Sequence, residues 1–151
     1  MRSINPNFKI KLVNLTNNTQ VNAGNNNTQT LRPLAGKIYK IIYFYYYAPD
    51  PVGSAAGTHD IRIQYDLTGT KRNVALCKAT TGNIVAIGTN SSWTGDSSEV
   101  PSTATEQHTM LYHDLWASYD FPLYFLYEND TDVNQTGTRV LEILVKEYPA
   151  R

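Results

Sequence analysis

The sequence predicts an all-β protein, an antiparallel β-sandwich of the jelly-roll kind with about eight or nine strands. Apolar residues recur at every second position through most of the chain, which is the period of a half-buried strand. Turn residues separate these segments at short intervals, as they do in sandwiches. No stretch of helical length carries apolar residues at the spacing of an amphipathic helix. We therefore expect packed sheets without helices.

The first two predicted elements differ in polarity. Phe8, Ile10 and Leu12 alternate with two lysines, which indicates a first strand, and we expect it at a sheet edge. The stretch from Thr16 to Thr30 is rich in Asn and Thr and contributes little to a core. It predicts loops around one or two short strands. Pro33 and Gly36 then precede a much more apolar segment.

The segment from Ile38 to Tyr47 is apolar or aromatic on both faces of a regular strand. In strict alternation, one face holds Tyr39, Ile41, Tyr43, Tyr45 and Tyr47, and the other holds Ile38, Lys40, Ile42, Phe44 and Tyr46. A sheet with one solvated face normally alternates apolar with polar residues. One face can enter the core of the chain, but the other needs a second cover. Because no helix is predicted, that cover is a neighbouring subunit or a ligand.

The middle of the chain predicts three strands after a loop of small residues, Ala48 to Gly57. The strand from Asp60 to Leu67 has the clearest alternation, with Ile61 and Ile63 on its apolar side. A strand from Asn73 to Ala79 follows. The turn residues Thr80 to Asn83 then predict a hairpin to a strand that contains Ile84, Val85 and Ile87.

The last part of the chain combines a long irregular stretch with two strands. Gly88 to Glu106 is rich in Ser, Thr and Gly and includes Trp93, and a loop of that length is typically functional or an assembly arm. The pattern from Met110 to Trp116 fits a strand or a helical turn. Phe121 to Tyr127 predicts a strand, and so does Thr138 to Tyr148, where Leu141, Ile143 and Val145 are expected to point inward.

Length and charge restrict the class of protein. The 151 residues fit one domain, 1–151, with an N-terminal arm (1–7) and the long loop (88–106). Thirteen basic and thirteen acidic residues cancel. Nucleic-acid binders carry a basic surface for the phosphates, so we expect no nucleic-acid partner, and no electrostatic docking on an anionic membrane.

Targeting and redox signals are absent from the sequence. The first residues contain no apolar segment of the kind found in signal peptides. No apolar run reaches the length of about 18 residues that spans a bilayer. Cys77 is the single cysteine and lies in an apolar run, which favours a buried, unreactive thiol. These features favour synthesis in a reducing cytoplasm.

A calcium loop is the one metal site that the sequence suggests. Asp130, Asp132 and Asn134 place oxygen ligands at alternate positions. The EF-hand pattern also needs Gly at its sixth position and a later Glu, whereas Gln135 stands at the sixth position and no Glu follows at the right distance. A polar turn is the favoured interpretation, so we expect no metal and no cofactor.

No catalytic motif is recognisable. His108 and His113, with Glu106 and Asp114, form the only concentrated group of titratable residues. A spacing of five places the two histidines on opposite faces of a strand and does not match the spacing of metal ligands on a helix. No nucleophile elbow, phosphate-binding glycine loop or zinc motif is present. We therefore expect a protein without enzymatic activity.

The aromatic residues are the best candidates for a site of interaction. Tyr and Trp are enriched at protein interfaces because they combine a large apolar body with a polar group. An oligomer or assembly contact is the favoured interpretation, and an aromatic core or a sugar-binding platform are the alternatives. The predicted interface residues are Ile42, Tyr43, Phe44, Tyr45, Tyr46, Tyr47 and Trp93.

In composition the chain resembles small all-β structural proteins of virus particles, such as head decoration, cement or fibre-associated subunits. The resemblance rests on the Asn-, Thr- and Tyr-rich strands, the small-residue loops, the two-faced aromatic strand and the lack of disulfides. It implies a jelly-roll sandwich in the virion, with partners that are further copies of the chain, for example in a trimer, or other capsid proteins. A carbohydrate-binding, lectin-like module is the alternative, with a glycan as the ligand.

Overall fold

The computed structural model describes residues 7–67, 69–79, 82–89, 93–97 and 115–150. These residues form ten strands and no helix. The strands are β1 (Lys9–Asn14), β2 (Asn25–Leu31), β3 (Lys37–Ala48), β4 (His59–Leu67), β5 (Thr70–Ala79), β6 (Ile84–Thr89), β7 (Trp93–Ser97), β8 (Trp116–Ser118), β9 (Leu123–Asn129) and β10 (Val140–Pro149). Accordingly, no helix in this part of the chain is long and apolar enough to cross a membrane.

The strands form two antiparallel sheets. The larger has the order β1-β10-β3-β6-β7, and β8 pairs with the first half of β3 on the side that β6 occupies further along. The smaller has the order β2-β9-β4-β5. The predicted all-β, antiparallel sandwich is thereby confirmed. The number of strands exceeds the prediction because the short strands β7 and β8 were not expected.

The core lies between the two sheets and is built from every second residue of the central strands. On β10 the buried residues are Leu141, Ile143 and Val145, as the alternation predicts. Phe125 of β9 packs edge-on against Phe44 and Tyr46 of β3, with ring centroids 6.2 and 6.3 Å apart. Such aromatic pairs stabilise a core beyond the area that they bury. They also bind the large sheet to the small one.

A β-bulge changes the face of β3 halfway along the strand. Tyr43 pairs with Leu144 of β10 and Ile41 pairs with Val145, so Ile42 is an extra residue without a partner of its own. A bulge of this kind sets two residues of one strand against one of its neighbour. As a result, Tyr39 and Ile41 are buried before the bulge, and Phe44 and Tyr46 are buried after it. The strict alternation predicted for this segment is therefore wrong.

The turn after β5 is a crossing between sheets and not the predicted hairpin. β5 pairs with β4 in the small sheet, whereas β6 pairs with β3 in the large sheet. Consecutive strands of the chain thus belong to different sheets at this point. Turn residues mark where a strand ends, but they do not determine which sheet the next strand joins.

Two other predicted segments are changed or lie outside the described residues. The long loop, 88–106, contains the last residues of β6 and all of β7, which pairs with β6 in the large sheet. Its remaining part, and all but Asn7 of the predicted arm, fall outside the described residues. Among the described strands β1 lies at the edge of its sheet, as predicted, with β10 as its one neighbour.

Candidate interaction surface

The outward side of the large sheet carries a broad aromatic and aliphatic surface, which we call the outer face. It comprises the residues that point away from the core on β1, β10, β3, β6 and β8 and at the start of the chain. Its members are Phe8, Ile10, Leu12, Asn14, Ile38, Lys40, Ile42, Tyr43, Tyr45, Tyr47, Val85, Trp116, Val140, Glu142, Leu144, Lys146 and Tyr148. Several are strongly exposed: Ile10 and Leu12 at 62%, Trp116 at 40% and Tyr43 at 38%.

One end of the outer face is held in place by ring contacts across three strands. The Tyr148 ring lies between Phe8 and Trp116, with centroid distances of 5.5 and 5.8 Å. The ammonium group of Lys146 lies 4.7 Å from the Phe8 ring centre, and that of Lys40 lies 5.2 Å from the Trp116 ring centre. Cation–π contacts hold both lysine side chains against the sheet. The aromatic surface is thus preorganised.

The structure divides the predicted interface residues between the core and the outer face. Ile42, Tyr43, Tyr45 and Tyr47 lie on the outer face. Phe44 and Tyr46 are buried in the core, so they offer no surface to a partner and are removed from the predicted interface. The physical reason is the bulge. In a regular strand Ile42 and Phe44 would lie on the same face, but the extra residue places Ile42 outward and Phe44 inward. Trp93 is the first residue of β7, and it pairs with Gly88 of β6.

Sequence reasoning missed several residues of the outer face. Leu144 and Tyr148 occupy the even positions of β10, opposite to the buried odd positions, and their apolar character was visible in the sequence. On β1, Ile10 and Leu12 point outward, although apolar residues of an alternating strand are normally placed inward. The two lysines of β1 take the inward direction, at the rim. No pattern within β1 itself could reveal this inversion.

The other side of the molecule, the polar face of the small sheet, is different in character. On β2, β4 and β9, the strands of this sheet whose side chains are described, the outward residues are charged or polar apart from Tyr124 and Leu126: Asn26, Thr28, Thr30, Asp60, Arg62, Gln64, Asp66 and Glu128. Arg62 binds Asp60 through two hydrogen bonds of 2.7 and 3.0 Å and also contacts Glu128. The hydrogen bond to Asp60 raises the pKa of Arg62. Polar outward residues thus alternate with apolar core residues on these strands, and Asp60 and Gln64 of the polar side are themselves buried.

Asp60, Glu128 and Asp130 form the one acidic group with metal-like spacing among the described residues. The Arg62 guanidinium already lies against Asp60 and Glu128. Charge-assisted hydrogen bonds to arginine are strong and account for two of these carboxylates. The group therefore has an explanation within the chain.

Two residues of the disfavoured calcium candidate, Asp132 and Asn134, are bound to other parts of the chain. Asp132 accepts hydrogen bonds from the Ser54 hydroxyl at 3.0 Å and the Ala55 amide at 3.1 Å, and these bonds lower its pKa. Asn134 accepts from the amide of Ala23 at 3.1 Å. Each side chain thus ties the turn to a different loop. The polar-turn interpretation fits this geometry, and the metal candidate is not supported.

A groove of about 480 Å³ lies at the rim beside β8. Tyr65 of the small sheet borders it, and its hydroxyl bonds the backbone carbonyl and amide of Trp116 at 3.2 and 3.3 Å. The exposed Phe121 borders the opposite side. The remaining lining residues are Ile38, Trp116, Ala117 and Ser118. The groove is thus apolar with few polar groups, as small-ligand sites are.

A cluster of buried polar residues lies around the start of β4. His59 bonds the Tyr127 hydroxyl at 3.1 Å and the Gly82 carbonyl at 2.8 Å. The Arg139 guanidinium lies 5.1 Å from the Tyr127 ring centre and donates to the Thr19 carbonyl at 2.8 Å. All three side chains are buried. Their contacts connect strands of the sandwich with the loops that contain Gly82 and Thr19.

The remaining titratable candidates, His108 and His113 with Glu106 and Asp114, lie outside the described residues. The comparisons with known proteins add no family: no protein-family model matches the sequence, and no curated protein is recognisably similar to it.

Proposed function

We propose that this protein is a non-enzymatic structural subunit that assembles with other protein chains through the outer face of its large sheet. The observation that carries the proposal is the contrast between the two faces of one sandwich. The outward residues of β2, β4 and β9 in the small sheet are mostly charged or polar, although Asp60 and Gln64 are themselves buried, whereas the large sheet exposes Tyr43, Trp116 and aliphatic side chains. A broad, partly exposed apolar surface such as the outer face typically marks an interaction site.

The strand pairing supports a jelly roll and, with it, a place in a virus particle. β1 pairs with β10, β2 with β9, β3 with β6 and β4 with β5. This nested order is that of one long hairpin wrapped into two sheets, as in the jelly rolls of capsid and lectin domains. The composition resembles that of small virion proteins. We therefore infer a capsid decoration or related virion subunit, made in the host cytoplasm.

The physical basis of assembly is burial of the outer face. Apolar area removed from water contributes about 25 cal/mol per Å² before the costs of association. In a symmetric assembly the same contact recurs at every subunit, so modest individual affinities combine through avidity. A neutral protein with a preorganised aromatic surface suits this role, because little ordering accompanies contact.

Charged substitutions on the outer face test the proposal. We expect Leu12→Glu and Tyr43→Glu each to convert the oligomer to monomers in sedimentation or light-scattering measurements, because a carboxylate would be buried in the contact. Thr30→Glu adds the same charge to an exposed position of β2 on the polar face and is the matched control. We expect it to leave the oligomer intact. An oligomer that survives both outer-face variants would refute the proposal.

The virion assignment has its own readout. The wild-type protein and Thr30→Glu should co-sediment with purified virus particles of its source, and Leu12→Glu should remain in the supernatant. Equal binding of all three proteins would show that attachment to the particle does not require the contact at the outer face.

Carbohydrate binding is the second candidate, and the groove beside β8 is the observation that favours it. Aromatic rings such as Trp116 and Phe121 can stack on sugar rings, and both are exposed beside the groove. A glycan array that gives a signal with the wild type and none with Trp116→Ala or Phe121→Ala would support this function. An array without any signal would leave assembly as the sole candidate.

A further inference from the structure

Strand β10 runs through the middle of the outer face and carries an ordered pattern of charge. Its outward residues, in chain order, are Val140, Glu142, Leu144, Lys146 and Tyr148. The pattern has an apolar residue at its centre, opposite charges on either side of the centre, and apolar residues at both ends. A reversal of its direction therefore exchanges the acidic position with the basic one.

The strands beside β10 extend this pattern into rows across the sheet. Leu12 and Tyr43 lie beside Leu144 in the central row. Lys40 lies beside Lys146, so that row is basic. The row of Glu142 contains Asn14 and Tyr45 and is acidic. The outer face thus has Lys40 and Lys146 on one side of an apolar centre and Glu142 on the other.

Two copies of the chain can pack outer face to outer face about a two-fold axis in one of two directions. Both directions keep the strands of the two sheets nearly aligned, as packed sheets prefer. An axis along the strands sets each row against itself, so Lys146 meets Lys146 and Glu142 meets Glu142. An axis across the strands reverses the order of the rows. It sets Lys146 of each copy against Glu142 of the other.

We propose that the assembly contact is a two-fold pair of this chain, packed outer face to outer face about an axis that crosses the strands at Leu144. This inference rests on the proposed function and adds the partner and its orientation. Tyr43 and Leu144 of the two copies then lie at the centre of the contact, and two Lys146–Glu142 pairs flank it. An isologous contact of this kind must be self-complementary, and the two Lys146–Glu142 pairs satisfy that condition.

The size of the outer face suits a stable pair. β10 is 10 residues long, about 33 Å at about 3.3 Å per residue, and four strands at about 4.8 Å spacing span about 19 Å. The projected area is on the order of 600 Å², and the accessible area of side chains that protrude is greater. A standard interface buries about 800 Å² on each partner.

Edge-to-edge pairing of β1, the other route by which sheets associate, is discouraged by Lys11. Its side chain turns toward the inner side, where it donates to the Tyr39 hydroxyl at 3.2 Å and lies 3.7 Å from Glu147. Inward-pointing charges on edge strands hinder the addition of another strand. The free edge is thus protected while the face beside it is apolar. This contrast favours packing by the face.

A charge exchange tests the orientation. We expect Glu142→Lys and Lys146→Glu each to weaken dimerisation by about tenfold or more, because each variant sets like charges against each other at both flanks. The double variant restores opposite charges across the axis, and we expect its dissociation constant to return to within about threefold of the wild type. Asp120→Lys, at an exposed turn, is the control for net charge and should behave as the wild type. Sedimentation equilibrium gives the constants, and thermal unfolding at low concentration verifies the fold of each variant.

The outcomes separate this inference from the proposed function. If Leu12→Glu and Tyr43→Glu abolish the oligomer but the double charge exchange fails to restore dimerisation, assembly through the outer face stands and the two-fold orientation is refuted. A trimer in the wild type likewise refutes the orientation alone. A wild-type protein that is monomeric throughout the concentration range of the experiment refutes both.

Discussion

Tyr127 of β9 is the residue that joins the buried polar groups of the sandwich. The Gly82 carbonyl can only accept a hydrogen bond, so Nε2 of His59 carries the hydrogen and Nδ1 accepts from the Tyr127 hydroxyl. Burial raises the pKa of Tyr127 to about 12 and lowers the pKa of His59. Both groups are therefore neutral at pH 7. The hydrogen bond to the Gly82 carbonyl and the negative charges of Asp50 and Asp60 oppose part of the effect of burial on the pKa of His59.

His59 makes stability depend on pH below neutrality. Its pKa in the folded protein is lower than the ordinary value of 6.5, so the unfolded chain binds more protons in that range. We expect the free energy of unfolding to fall as the pH drops below about 6.5 and to continue falling until the folded-state pKa is passed. Urea unfolding at a series of pH values measures this slope.

The variant His59→Gln isolates the contribution of this one histidine. Gln can still donate to the Gly82 carbonyl but does not titrate. The free energy of unfolding of the variant should therefore depend less on pH between 7 and 5 than that of the wild type. His108 and His113 are present in both proteins, and their effects cancel in the difference. An identical slope in wild type and variant would contradict the assignment.

At the scale of the element, β3 uses one extra residue to present two kinds of surface. Before the bulge Tyr39 and Ile41 are buried, and after it Phe44 and Tyr46 are buried. The extra residue, Ile42, shares its place opposite Leu144 with Tyr43. The bulge therefore adds an apolar side chain to the outer face without removing one from the core.

Two single-residue deletions test this account of β3. Removal of Ile42 leaves Tyr39, Ile41, Phe44 and Tyr46 in regular alternation, so we expect a folded protein with cooperative urea unfolding. Removal of Tyr45 turns the last core residues of the strand outward. Each large core side chain that is lost costs about 1.5 to 3 kcal/mol, against a typical total of about 5 to 15 kcal/mol. We expect the second deletion to lower the free energy of unfolding by about 1.5 kcal/mol or more relative to the first, and equal stability of the two variants would contradict the bulge.

The positions of the strands could be predicted from the sequence because alternation and turn residues are local signals. β4 and β10 illustrate this, since their buried residues include Ile61, Ile63, Leu141, Ile143 and Val145 as expected. The bulge could not be predicted, because an extra residue is defined only by the strand opposite, about a hundred positions away. The same limit applies to the crossing after β5. The turn residues Thr80 to Asn83 indicate that a strand ends, but they do not determine which sheet the following strand joins.

The predictability of the interaction surface follows the same division. The aromatic strand indicated that a second cover was needed, and Tyr43, Tyr45 and Tyr47 do lie on the outer face. Which of its aromatic residues enter the core depends on the bulge, so Phe44 and Tyr46 were wrongly included. Phe8 and Tyr148 join the surface through pairing between distant strands. Their contact is a property of the fold.

At the scale of the whole molecule, the two faces assign different roles to the two sheets. The small sheet has a polar face with Arg62 bound between carboxylates. The large sheet has an apolar face bordered by an edge strand that resists pairing. One side of the sandwich therefore suits contact with water, and the other suits contact with a further chain. Stability should then depend on association.

The melting temperature should rise with protein concentration if association stabilises the folded chain. Mass action favours the folded oligomer as the concentration increases, and for a chain of this length we expect a rise of about 2 °C or more for each tenfold increase. Leu12→Glu should show a melting temperature independent of concentration. Calorimetry from 1 µM to 1 mM, about the practical range, makes the comparison. A wild type without this dependence would contradict association in the native state.

The pairing of β1 with β10 also determines when the large sheet can be completed. Lys9 of β1 lies opposite Glu147 of β10. During synthesis β1 therefore cannot pair until a strand more than a hundred residues later in the chain has been made. The same holds for β3, because β10 pairs with nearly the full length of β3. Pairings of such sequence separation form slowly. The aromatic strand is therefore exposed in the nascent chain until β10 emerges from the ribosome, and the order of translation sets the period in which it can aggregate.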